Sequence, residues 1–151
     1  MSIEATLAQK GITLPAAPAP AANYVPFVQT GNLIFVSGQI SQDEGGLIKG
    51  RLGDGMSVDE GAAAARRCGL SLIAQLKAAV GDLDRVRRVV KLTGFVNSTP
   101  DFTDQPKVIN GCSDLMVEIF GDAGRHARAA VSAPALPLGV AVEIEAIFEV
   151  A

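Results

Sequence analysis

The stretch Val140-Ala141-Val142-Glu143-Ile144-Glu145-Ala146-Ile147-Phe148-Glu149-Val150 alternates without a break. Every even position is apolar and the odd positions carry Glu143, Glu145 and Glu149, so in an extended chain one face is wholly apolar and the other bears three carboxylates. A strand of this kind must pair with neighbours along its edges and bury one face under a second layer. The rest of the chain is read outward from that demand.

Residues 127–133 precede this strand across a Pro134–Gly139 connection and are expected to pair with it as a hairpin. Residues 25–29 and 33–39 are two further β-rich runs, separated by Thr30-Gly31-Asn32, where Gly and Asn tolerate the positive φ of a tight hairpin. Residues 86–97 read as a long strand, with Val90, Leu92 and Val96 on one parity and Lys91, Thr93 and Phe95 on the other. Between the strands the period changes. From Ser57, apolar or small residues at Val58, Ala62, Ala65, Gly69, Leu72, Leu76 and Val80 step by threes and fours, with Arg66, Gln75 and Lys77 turned away. Ser57 followed by Glu60 is a capping box at the start of this helix, and Gly81 is its stop. A second helix is expected over residues 103–120, with Phe102, Ile109, Cys112, Met116 and Phe120 on its inner side and Pro106 in its first turn. The segment 43–55 holds five glycines and reads as a loop.

Residues 1–23 form an N-terminal arm, a short helical turn and then a proline-rich strap, ahead of a single domain over 24–151. The order ββαβαββ predicts an α+β fold, one mixed or antiparallel sheet with both helices on one face. The uncovered face would carry Phe95 and Ile147, which predicts closure by other copies of the chain in a cyclic oligomer.

Composition removes several functions. With 151 residues, 48% hydrophobic and 19% charged, the chain can bury a core without disulfide or metal staples. A net charge of −3 offers no basic patch for phosphates, and six Phe, one Tyr and no Trp offer few platforms for stacked bases, so neither DNA nor RNA is an expected partner. Two cysteines without a CxxC and one histidine do not make a zinc cage. Glu4 and Lys10 interrupt the N-terminus where a signal peptide would be apolar, and the purest aliphatic run is only Leu33-Ile34-Phe35-Val36. No membrane segment is expected, and the location predicted is cytoplasmic, with free thiols.

Candidate chemistry gathers at the terminal strands. A hairpin register that pairs Arg128 with Glu143 also pairs Ala130 with Ala141, placing an arginine and a carboxylate on one small-residue patch. Such an arginine either clamps a small acid by two parallel hydrogen bonds or is consumed in a structural ion pair with Glu143. Tyr24, Ser37 and Asn110 are further polar candidates, each with an ordinary structural role open to it. His126 lies two residues before Arg128 and so could share its face. Cys68 and Cys112 fall on or beside inner helix faces and read as buried apolar groups. There is no Ser-His-Asp order and no phosphate-binding glycine loop.

Residues 24–40, YVPFVQTGNLIFVSGQI, then Asp101-Phe102 leading to Asn110, then Arg128-Ala129-Ala130-Val131 with Val142-Glu143-Ile144-Glu145-Ala146-Ile147, resemble the RidA family, also called YjgF/YER057c/UK114. The resemblance runs from about residue 20 to the end, with extra residues around 43–56 and 98–106 that suggest a longer branch. It implies a chorismate-mutase-like fold assembled as a homotrimer, with sites in the clefts between subunits. It also implies hydrolysis of reactive 2-imino or enamine acids, such as 2-aminoacrylate, to 2-oxo acids and ammonia, with no cofactor. Carried over by position, Arg128 would bind the substrate carboxylate, Glu143 would orient the attacking water, and Tyr24, Ser37 and Asn110 would line the cleft. The position two after the arginine is often cysteine in the family. Here it is Ala130, so no thiol role transfers, and the added room would suit a bulkier substrate. The same cleft could instead bind 2-oxo or amino acids without turnover. Endoribonuclease activity, attributed to some relatives, is disfavoured by the net charge and the single histidine.

Overall fold

A computed structural model describes every residue of the chain except Ala21. After helix α1 (Ile3–Gln9) come strands β1 (Phe27–Thr30) and β2 (Leu33–Ile40), the short pair β3 (Gln42–Asp43) and β4 (Gly46–Leu47), and helix α2 (Val58–Val80). Strand β5 (Val86–Asn97), helix α3 (Gln105–Phe120), strand β6 (Ala127–Ala133) and strand β7 (Val142–Val150) follow. Five strands form one mixed sheet in the order β1-β2-β7-β5-β6, and α2 and α3 pack on one face of it. The sequence expectation of an α+β fold with one half-covered sheet holds.

Local chemistry accounts for most element ends. Gly31, at φ 60, begins the two-residue turn that sets Thr30 opposite Leu33 in the first hairpin. At the start of α2 the Glu60 N–H donates to Ser57 Oγ at 3.1 Å and the Ser57 N–H donates to Glu60 Oε1 at 3.0 Å, the expected reciprocal cap. Burial alternates along β7, where Ile144 and Phe148 are fully enclosed.

Four expectations require correction. First, β6 does not pair with β7. It pairs in parallel with β5, and β7 lies antiparallel between β2 and β5, so Arg128 stands opposite Leu92 and not Glu143. The cause is α3: a helical crossover returns the chain beside the strand it left and parallel to it. Second, the β5 register slips against β7 between Val89 and Lys91, so Val89 is buried with Leu92 while Val90 is only half-buried. Third, Gln75 is buried, and its Nε2 donates to the Pro18 carbonyl at 2.6 Å, fastening the proline strap to α2. Fourth, the 43–55 segment is not simply loop. β3 and β4 pair within and beside it, and Leu52 is fully buried with its N–H donating to the Asn97 carbonyl at 2.9 Å. The arm is tied to the same core: Leu7 is buried, Lys77 Nζ lies 2.7 Å from Glu4 Oε1, and the Ile3 N–H donates to Asp84 Oδ1 at 2.7 Å.

The other face of the sheet carries Phe35 opposite Ile147, Val28 opposite Phe35, and Val131 opposite Phe95. Val28, Phe35 and Val131 are exposed, so this face, which also carries Glu143, Glu145 and Glu149, leaves apolar side chains open in a single protomer.

Candidate functional site

The strand order divides the candidate residues into two groups. Arg128 lies on β6 at the sheet edge, and its register partner Leu92 is a core residue, so Arg128 points to the helix-covered side. There α3 meets it. Arg128 Nη1 donates to Asn110 Oδ1 at 2.8 Å and to Ser113 Oγ at 3.2 Å, from side chains one helical turn apart. Both bonds use Nη1. Among the described residues Nε and Nη2 have no hydrogen-bond partner, which leaves one edge of the guanidinium with two parallel N–H donors on an exposed side chain.

Behind this edge stands a directed chain of hydrogen bonds. His126 Nδ1 is 2.6 Å from the Gly124 carbonyl, which can only accept, so that nitrogen carries the proton. In the neutral imidazole Nε2 then accepts from the Ser113 hydroxyl at 2.9 Å, and the same Ser113 oxygen accepts from Arg128. The expected kinship of His126 with Arg128 is therefore real and runs through Ser113. Ser113 is not among the residues singled out from the sequence; its place three residues after Asn110, on the same helix face, is the signal that could have found it. Ala130, two residues after Arg128, shares its side of β6 and packs half-buried against the core.

Glu143 lies on β7 opposite Phe95 and Ile40, on the open face of the sheet. β5 runs between it and Arg128, and because Arg128 stands opposite Leu92, which stands opposite Ala146, while Glu143 is of the other parity along β7, the two side chains belong to opposite faces. Burial pushes the Glu143 carboxyl above its ordinary pKa, and the neighbouring charge of Glu145 adds to the shift. Its carboxylate fills the space where a Cβ at Gly38 would stand, 3.0 Å from Glu143 Cδ and 3.2 Å from Cγ. The register shift of β2 between Val36 and Gln39 brings Gly38 to that point. Tyr24 and Glu143 line one cavity of about 620 Å³. Ser37 acts behind it: its Oγ donates to the Val25 carbonyl at 2.7 Å and its N–H to the Pro26 carbonyl at 2.9 Å, holding the segment that carries Tyr24 against β2. Leu47 and Leu138 also line this cavity and had no signal in spacing or motif.

Neither thiol joins a site. Both cysteines are fully buried, and burial pushes Cys112 up to about 12 and Cys68 well above its ordinary value, so both stay protonated and inert at neutral pH. No helix among the described residues is long and apolar enough to cross a membrane.

Known proteins share this architecture. The family model described as "YjgF/chorismate mutase-like, putative endoribonuclease" matches residues 4–149. Protein TCP17 of Trypanosoma cruzi is 54% identical over 149 residues, 97% of this chain and 93% of that one. A crystal structure of a protein of unknown function from Agrobacterium tumefaciens superposes with a TM-score of 0.91 at 47% identity, covering 99% of this chain and 92% of that one. RidA from an Antarctic Psychrobacter gives a TM-score of 0.63 at 30% identity, over 89% of this chain and 94% of that one. With a mixed sheet ordered β1-β2-β7-β5-β6 and a family match spanning nearly its whole length, the chain belongs to the YjgF/RidA family.

Proposed function

We propose that this protein hydrolyses 2-imino acids to 2-oxo acids and ammonia, in a cleft completed by a second copy of the chain. The observation that carries the reading is the Arg128 guanidinium, anchored through Nη1 and presenting Nε and Nη2 as a free fork. A carboxylate fits that fork by two parallel charge-assisted hydrogen bonds.

The remaining chemistry asks for one proton-exchanging group. The imine carbon is already electrophilic, so holding the carboxylate and one water in place supplies most of the rate gain. Water adds across the C2=N bond as Glu143 takes one of its protons and passes it to nitrogen; the carbinolamine so formed gives its hydroxyl proton to Glu143, which relays it to the amine, and as the C2–N bond breaks to release ammonia the C2–O bond becomes the ketone. A carboxylate whose pKa is raised above its ordinary value is a stronger base than a free one, which favours its taking the proton of the attacking water. Tyr24 shares the cavity of Glu143, and Asn110 with Ser113 holds the clamp in place.

One protomer keeps Arg128 and Glu143 on opposite faces of its sheet, so the reading requires two copies, one lending the clamp and the other the carboxyl. The exposed apolar residues Val28, Phe35 and Val131 on the open face supply the reason for copies to associate. A homotrimer is the closed assembly that the family resemblance suggests. RNA cleavage is disfavoured by the net charge of −3, which gives a phosphate backbone little to pair with.

The test follows imine lifetime, with 2-iminobutyrate generated in situ by an amino acid oxidase and trapped as the semicarbazone. Wild type should shorten that lifetime and Arg128→Ala should not, at equal concentration and unchanged oligomer size. Equal rates for the two proteins would refute the reading. Ligand binding without turnover of any imine would favour a sensor of 2-oxo or amino acids.

A further inference from the structure

The cavity beside Glu143 is unlike the Arg128 patch. Pro18, Pro20, Pro26, Leu47 and Leu138 give it apolar walls, and Glu143 is the only charged side chain among the described residues that line it. A carboxylate entering there would face another carboxylate with no cation to offset it. The charged end of an amino-acid-derived ligand therefore stays at Arg128, and what the cavity admits is apolar. Its volume of about 620 Å³ lies within the range of sites that enclose whole small molecules. A three-carbon imino acid has only a methyl group to bury in it, whereas a branched or aromatic one displaces more water from the walls.

Leu138 adds a second observation. Its φ of 59° and ψ of 15° put a leucine in the left-handed region, where a side chain is disfavoured and glycine is at ease. The residue is 64% exposed, so no core packing explains a leucine at this turn, yet it contributes to the cavity wall. Strained residues of this kind gather at binding surfaces. Leu47, at the end of β4 and 37% exposed, provides apolar surface to the same cavity.

We infer that the site selects imino and oxo acids with large apolar side chains, branched or aromatic, and that Leu138 is its main specificity-determining residue. This inference rests on the deaminase reading of the same cleft. Leu138→Gly tests it without threatening the fold, since glycine adopts this backbone freely and Tm should stay near that of wild type. Imines made in situ from alanine, 2-aminobutyrate, leucine and phenylalanine form the substrate series. Wild-type kcat/KM for the leucine or phenylalanine imine should exceed that for the alanine imine by at least about tenfold, and Leu138→Gly should cut that ratio by about threefold or more. A preference for the alanine imine, or a ratio untouched by Leu138→Gly, overturns the inference and leaves the deaminase reading standing. If no imine is turned over, that reading fails, and selectivity is read instead from calorimetric binding of pyruvate, 4-methyl-2-oxopentanoate and phenylpyruvate. Tighter binding of the larger acids, weakened by Leu138→Gly, sustains the inference; equal binding or none overturns it.

Discussion

Mixing two dead variants distinguishes a site shared between copies from a site within one. Arg128→Ala removes the clamp on the helix-covered side of β6 and leaves Glu143 intact on the open face, two strands away. Glu143→Gln does the reverse. Each homo-oligomer is expected to be inactive. After subunit exchange at equal proportions, a cleft that takes its clamp from one copy and its carboxyl from another is intact when the first is a Glu143→Gln chain and the second an Arg128→Ala chain. Random assembly gives each condition a chance of one half, so about a quarter of the wild-type activity should return. The assay is imine lifetime before and after exchange, driven by brief low denaturant and dialysis, with size-exclusion profiles matched to wild type. If both groups served one substrate inside one protomer, no mixed assembly could contain an intact site. Activity remaining at the level of the separate variants, in a mixture shown by mass spectrometry to have exchanged, would refute the shared cleft.

Three smaller changes probe the parts. Arg128→Lys keeps the charge and loses the fork, so one charge-assisted hydrogen bond worth about 1.5–3 kcal/mol is forfeited, and kcat/KM should fall roughly ten- to a hundredfold with the fold intact; a wild-type value removes the bidentate clamp from the reading. Glu143 has a raised pKa, so the folded state binds more protons than the unfolded one, and stability declines as pH rises between the two values and is lowest above the folded one. Glu143→Gln should therefore melt above wild type at pH 8, with the gain gone at low pH, below the ordinary glutamate value of about 4.3; a lower melting point at pH 8 contradicts the desolvation argument. Gly111→Ala sets helix propensity, a gain of about 1 kcal/mol, against a Cβ that would overlap the Ala62 backbone of α2 and stand 3.0 Å from its Cα. Overpacking wins, and a loss of about 2 kcal/mol, some 4–8 °C in Tm, should appear in calorimetry; a rise in Tm would show that the two helices can separate freely.

Much of the fold was legible because local patterns and tertiary demands agree. The boundaries expected for 86–97 coincide with β5, and Ser57 with Glu60 forms the expected cap. The alternation of residues 140–150 predicted the face that β7 buries. The failures have physical causes. Residues 134–139 have the length of a hairpin connection, so the sequence suggested that β6 and β7 are neighbours; nothing in those six residues reports that β7 inserts beyond β5. The bulge near Val89 inverts the side-chain parity of a strand that reads as regular. Gln75 reads as solvated because its partners, Pro18 and Gln39, are remote in sequence and supply no periodic signal.

The candidate residues can be named from the sequence but their arrangement cannot, and the reason is geometric. Spacing along a chain constrains which side chains meet within an element or across a known pair of strands. Arg128 with Asn110 and Ser113, and Tyr24 with Glu143, are each assembled by contacts inside one protomer. In the shared-cleft proposal the relation between the two groups would depend on how separate copies dock, which spacing does not encode. A structural ion pair between Arg128 and Glu143 was the main alternative to a ligand clamp, and the register excludes it within the protomer, because β5 separates the strands and the two residues face opposite sides. With that partner removed, the exposed free edge of the guanidinium is open to water or to an anion from outside the protomer. In the proposed mechanism a substrate carboxylate takes that edge, and Glu143, half-buried and beside an apolar cavity, is left to exchange the proton.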